Sequence, residues 1–194
     1  MLNDLPSGVF RFIALDVETA SADSASICQI GIACVASDNS ILTWSTLVNP
    51  ETEFAPFNVQ LHGIDPEIVR AAPTFSQVWP VLAPLLTSHP LVQHSRFDER
   101  ALKAACAAND LFHPRLSWQD SVTIARNAWP ELKGNGGHGL ANLKQVLNLE
   151  FNHHDAEEDA RAAALVVLQA EARIKTPLKA LSADKSGFQL SFSF

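Results

Sequence analysis

Four acids and one histidine stand at three places in the chain where side chains could meet over a metal ion. Asp16 and Glu18 flank a valine in LDVET. Residues two apart on a strand project to the same side. Two carboxylates so placed repel each other unless a cation lies between them, and oxygen ligands suit Mg²⁺ and Mn²⁺. A bare D-x-E pair also occurs on ordinary surface strand ends. Asp98, in HSRFDER, falls where a short strand would pass into a helix. A solvated first turn, which acids favour, is the competing reading there. The third place is HHDAEEDA, residues 153–160. Asp155 with Glu158 three positions on, ahead of an alanine-rich run, is a capping-box pattern. Asp155 is therefore the expected N-cap, with Glu158 closing the box and Glu157 complementing the helix dipole. That leaves Asp159 able to face another way, and His154 in an approach from which an imidazole can swing toward water. His153 is expected to be incidental.

These side chains need a frame. FRFIALDV (10–17) is an apolar, β-rich run and predicts a central strand. SICQIGIACVA (26–36) alternates, with Ile27, Gln29, Gly31, Ala33 and Val35 on one side and Cys28, Ile30, Ile32 and Cys34 on the other. ILTWSTLV (41–48) follows a turn signal, SDNS, as a third strand. Short links between three strands imply an antiparallel meander. Residues 49–75 are rich in proline and predict loop with short helical turns. Residues 76–87 predict a helix that Pro80 and Pro84 should kink or divide. PLVQH (90–94) predicts a strand feeding a helix at 97–109, and LSWQDS (116–121) a fifth strand. Helices follow at 120–129, 139–147 and 156–173. The expected fold is α/β, a mixed five-stranded sheet flanked by helices.

Composition narrows the classes. The chain has 194 residues and a formal net charge of −7, so it is no passive coat for phosphates. Metal ions can still supply positive charge locally. Cys28, Cys34 and Cys106 form no CxxC pair and are expected as buried thiols. No apolar run approaches the length of a membrane span. The start lacks the basic and apolar regions of a signal peptide, which makes the cytoplasm the expected location. The chain divides into a leader (1–9), a domain (10–173), and a linker with an apolar C-terminal peptide (174–194).

Taken in order, the motifs resemble the DEDDh, or DnaQ-like, 3′–5′ exonucleases, the group of the polymerase III epsilon subunit. The motifs are Asp16-Val17-Glu18-Thr19, Phe97-Asp98, and His154 followed by Asp159, and the likeness extends through HGI (62–64), APTF (72–75) and SWQDS (117–121). The resemblance implies an RNase H-like fold and metal-dependent removal of nucleotides from the 3′ end of single-stranded DNA or RNA, in proofreading or repair. It implies two Mg²⁺ or Mn²⁺ ions about 4 Å apart, held by Asp16, Glu18, Asp98 and Asp159. It casts His154 as general base, suited by an ordinary pKa of about 6.5. Thr19, Leu61, His62 and Phe97 match positions that hold the last nucleotides. Core packing competes with that role for Leu61 and Phe97, and a turn role for His62.

Other features stand beside the resemblance. His94 replaces the Asn common in the second motif, either as a hydrogen-bond donor or as a structural histidine. KGNGGHGL (133–140) lacks the Lys-Ser/Thr of a P-loop and follows no strand, which makes it a loop with His138 a bystander. QLSFSF (189–194) resembles clamp-binding peptides, with Gln189, Leu190, Phe192 and Phe194 docking into a sliding clamp. Docking on its own domain is the alternative. An exonuclease fold retained only as a clamp- or polymerase-binding adaptor is the competing function, and the intact set of five active-site residues opposes it.

Overall fold

The computed structural model of the protein describes residues 5–150 and 154–175. His153 and the peptide residues Gln189, Leu190, Phe192 and Phe194 therefore lie outside the described residues.

Alternation along FIALDVET decides how the sheet is used. Ile13, Leu15 and Val17 are buried against one face, Phe12 and Ala14 against the other. A strand covered on both sides belongs in the middle of a sheet, and β1 (Phe12–Thr19) is there. β2 (Ile27–Val35) pairs antiparallel with it, and β3 (Ile41–Leu47) antiparallel with β2. On its other side β4 (Leu91–Gln93) and then β5 (Trp118–Asp120) run parallel. The order β3-β2-β1-β4-β5 is the expected mixed sheet, a meander followed by crossover strands.

The irregular region after β3 forms α1 (Pro56–His62) and α2 (Pro66–Val69). α3 (Phe75–Thr87) and α4 (Phe97–Ala108) cover one face of the sheet. There Val78, Leu82, Leu86 and Leu102 pack on Ile13, Leu15, Ile30 and Ile32. α5 (Ser121–Ala128), α6 (Leu140–Val146) and α7 (Ala156–Ile174) cover the other. The three cysteines are buried and free, and burial pushes the thiols of Cys28 and Cys34 up to about 12 and that of Cys106 to about 11. Among the described residues no helix is long and apolar enough to cross a membrane.

Of the two effects expected from the prolines, kinking or dividing the helix, division does not occur. Pro80 and Pro84 do not divide α3, which is a single helix of 13 residues. The two prolines are one turn apart and exposed, as is Ser76. The carbonyls that lose a helical partner, those of Ser76 and Pro80, sit on that solvent face, where water replaces the missing N–H groups.

The two faces pack differently. The α3/α4 face meets large aliphatic side chains, whereas α7 meets Ala14, Gly31 and Ala33 through its own alanines. A Cβ placed on Gly31 would overlap the main chain of Ala156 and Glu157. The first turn of α7 thus rests directly on the backbone of β2, opposite Asp16 in the β1–β2 register.

Candidate active site

The period of two that buries Phe12 and Ala14 under α7 carries Asp16 and Glu18 out on the same face. The register slips between Glu18 and Thr19, a bulge of the kind that re-aims side chains at sheet ends. Asp98 arrives from the first turn of α4 and is buried, at 3% exposure. Its Oδ1 accepts a hydrogen bond from Val17 N at 3.1 Å, which fastens α4 beside the acids of β1. Gln93 supports the same turn, its Oε1 accepting from Glu99 N at 3.0 Å.

α7 supplies the remainder. Asp155 is the N-cap, accepting from Glu157 N at 3.0 Å and Glu158 N at 3.3 Å. The Glu158 side chain turns to Arg161 at 3.6 Å. Glu157 does more than complement the dipole, because Ser45 of β3 donates to its Oε2 at 2.5 Å. Asp159, buried at 4% exposure, accepts from His154 N at 3.0 Å through Oδ2. That bond goes with a left-handed His154 backbone, φ 69°, in which the residue turns back over the helix end.

Three elements thereby bring four carboxylates to one end of β1. Burial raises the Asp16 carboxyl well above its usual range, and Asp98, Asp159 and Glu18 add repulsion. Burial, then Asp159 and Asp98, push Glu18 up to about 8. Asp98 is pushed up to about 7 by burial, opposed by its bond from Val17 N. Acids held this close and this dry are costly without compensating positive charge. Glu18, His154 and Asp159 each present one ligand atom, all within 4.8 Å of one another. Oxygen-rich, anionic and partly buried, the set fits a hard divalent cation.

The other expected residues fall around this end of β1. Thr19 is buried, and its Oγ1 donates to Ser21 O at 3.0 Å. The His62 ring is bonded on both nitrogens. Nδ1 accepts from Ile64 N at 3.0 Å, so Nε2 carries the proton and donates to Thr19 O at 3.1 Å. Gly63, left-handed at φ 77°, ends α1 there. Leu61 is 40% exposed. Phe97 is half-buried, packed against the core with the Arg100 guanidinium 5.2 Å from its ring. Phe57, 72% exposed and one turn before Leu61 on α1, was not anticipated. Its i, i+4 spacing from Leu61 on a helix with no buried residue is the signal that could have found it.

His94 is tied into the fold. Ser121 Oγ donates to Gln93 O at 3.1 Å, so the 2.7 Å contact between His94 Nδ1 and Ser121 Oγ requires the imidazole to donate. His138 is buried, with Nε2 bonded to Trp129 O at 2.8 Å.

An exonuclease family model, RNase T, matches residues 13–167, which include all five active-site candidates. The chain belongs to this exonuclease family. Its DnaQ-like, DEDDh character is as the motifs implied. Among curated relatives of the family, a PolC-type DNA polymerase III of Caldanaerobacter subterraneus subsp. tengcongensis is 28% identical over 82% of this chain and 11% of its own length. The 3′–5′ exonuclease DinG of Staphylococcus epidermidis is 30% identical over 84% of this chain and 18% of its own. The chain thus spans between a tenth and a fifth of these relatives. Among solved exonuclease structures, the nuclease domain of 3′hExo, a DEDDh family member bound to rAMP, shares the fold at a TM-score of 0.70. It is 17% identical, over 81% of this chain and 90% of that one.

Proposed function

We propose that the protein is a divalent-metal-dependent 3′–5′ exonuclease that releases nucleoside 5′-monophosphates from a single-stranded 3′ end of DNA or RNA. The observation that carries this reading is the convergence of Asp16, Glu18, Asp98 and Asp159, from three elements, on one end of the central strand, with the carboxyls of the first three raised. The DinG relative is named as an exonuclease of this polarity, and the 3′hExo structure holds a nucleotide.

In this reading Asp16, Glu18, Asp98 and Asp159 would hold two Mg²⁺ or Mn²⁺ ions. When bound, the ions supply positive charge that offsets the carboxylates and the phosphate as its charge develops. His154 takes a proton from the attacking water, whose oxygen bonds to phosphorus. The P–O3′ bond breaks, and the departing 3′ oxygen takes a proton from solvent. One nucleoside 5′-monophosphate is released and the shortened strand keeps a 3′-OH. Thr19, Leu61, His62 and Phe97 border the terminal nucleotides, and Phe97 offers a ring against which a base of any sequence can lie. Because His62 has both ring nitrogens bonded to main chain, its part is to hold the Thr19 end of β1 in shape. The peptide Gln189, Leu190, Phe192 and Phe194 would tether the enzyme to a sliding clamp and raise its local concentration at DNA.

Digestion of 3′-labelled single-stranded DNA, duplex DNA and short RNA with Mg²⁺ or Mn²⁺ tests the reading. Stepwise loss of mononucleotides, abolished by EDTA, is expected. Activity that survives in EDTA or in Asp16→Ala would refute it. For the tail, residues 184–194 titrated against a purified clamp should give saturable binding, and a flat signal at high micromolar concentration rules the tether out.

A further inference from the structure

Of the metal-facing groups, those on β1 and those at the start of α7 stand on separate elements, and something must fix the gap between them. Asp16 and Glu18 belong to the sheet, while Asp159 and His154 belong to the start of α7. In the β1–β2 register Asp16 lies opposite Gly31 and Glu18 opposite Gln29, and in the β2–β3 register Gly31 lies opposite Ser45. These three partners meet the first turn of α7, whose later turns pack on the sheet through alanines and valines. Gln29 Oε1 accepts from Ala156 N at 3.2 Å, taking one of the donors that a helix start leaves without an internal partner. Gly31 lets the Ala156–Glu157 main chain lie on the strand. Ser45 bonds Glu157 at 2.5 Å. None of the three is a carboxylate or faces the acids as a ligand.

We propose that Gln29, Gly31 and Ser45 are positioning residues that set the separation between the β1 acids and the Asp159–His154 pair, and so set metal affinity. The inference rests on the metal assignment of the proposed function. Gly31 sets the depth of α7 over the sheet, because any side chain there must lift Ala156 and Glu157. Gln29 sets its position along the strand, and Ser45 its rotation. Asp159 lies one turn into the same helix, its N–H bonded to Asp155 O at 2.8 Å, so it moves with that turn. A carboxylate displaced by a fraction of an ångström would keep its charge but would share a cation with Glu18 less tightly.

Mn²⁺ binding to the full-length protein, read by electron paramagnetic resonance without nucleic acid, tests this apart from activity. Gln29→Leu and Gly31→Ala should weaken Mn²⁺ binding roughly 10–100-fold, the usual effect of disturbing groups that orient ligands. Ser45→Ala should weaken it less. At saturating Mn²⁺, kcat should recover toward wild type with substrate KM unchanged. Ile32→Val, on the opposite face, should lower the melting temperature yet leave Mn²⁺ affinity alone. Folded Gln29→Leu that binds Mn²⁺ as wild type does overturns the proposal, whether or not Gly31→Ala folds. Wild type that binds Mn²⁺, with the variants weakened, but digests no 3′ end leaves the positioning role standing and removes the exonuclease reading. Wild type that binds no Mn²⁺ at millimolar concentration sinks the metal assignment beneath both.

Discussion

Asp16 and Glu18 reach the site on a strand paired with β2 along its length and with β4 as far as Ala14, whereas Asp159 and His154 reach it at a helix start that side chains also grip. The first pair inherits its placement from the sheet ladder, which cannot shift without breaking several main-chain bonds at once. The second pair sits on a helix packed on the sheet through its alanines and valines, with its first turn trimmed by one glycine, one amide, one hydroxyl and a cap. A site assembled this way has one rigid half and one adjustable half. The adjustable half also carries His154, the base of the proposed mechanism.

Substitutions can break the two halves separately. Asp16→Asn removes the acid central to the rigid half, and turnover should fall roughly 10³-fold, at the upper range for loss of a charge-stabilising group. The same variant should melt higher than wild type in EDTA, since it deletes a raised, repelled carboxylate. His154→Gln should slow turnover roughly 10²–10³-fold while Mn²⁺ binding stays near wild type. Marked loss of binding would make His154 a ligand, as its place within 4.8 Å of Glu18 and Asp159 permits, instead of the base. Ile32→Ala, fully buried beneath the rigid half, should cost about 2–5 kcal/mol of stability. Calorimetry reads that cost, and activity per folded molecule should persist.

A gentler probe needs no mutation. In EDTA, Glu18 is raised from 4.5 to about 8 and Asp98 from 3.8 to about 7. The fold favours their protonated forms, so their contribution to stability is most favourable below the unfolded values. It declines as pH rises and levels off above about pH 8. Melting temperature should therefore fall between about pH 5 and pH 8 in EDTA, and Mg²⁺ should flatten that slope. A metal-free protein with no such slope would mean the carboxylates are better solvated than the geometry indicates. The smallest effect is expected from deleting residues 176–194, which should leave kcat on a short oligonucleotide unchanged.

Much of this was legible beforehand, and unevenly so. Period-two alternation revealed β1 and β2 and the side on which Asp16 and Glu18 project, because burial on both faces of a central strand writes itself into side-chain type. The cap at Asp155 was legible for a similarly local reason. The integrity of α3 was not, because a rule about proline in helices does not know which carbonyls face water. Nor was the use of Glu157, Gln29 and Ser45. Their bonds join residues 112 and 127 positions apart, and no local pattern predicts which polar residue on a strand will meet a helix start. Gly31 looked like one more small residue in an alternating strand, and its purpose appears only when α7 is laid across it.

α1 has no buried residue, and polar grips hold it, Asn58 Nδ2 and His62 Nε2 both donating to Thr19 O at 2.8 and 3.1 Å. With Val59 its one half-buried aliphatic residue, α1 is expected to open as a local event ahead of global unfolding. Amide hydrogens of α1 would then exchange orders of magnitude faster than those of β1 beside them. The border of the site would then loosen at temperatures where the sheet that carries the acids still stands.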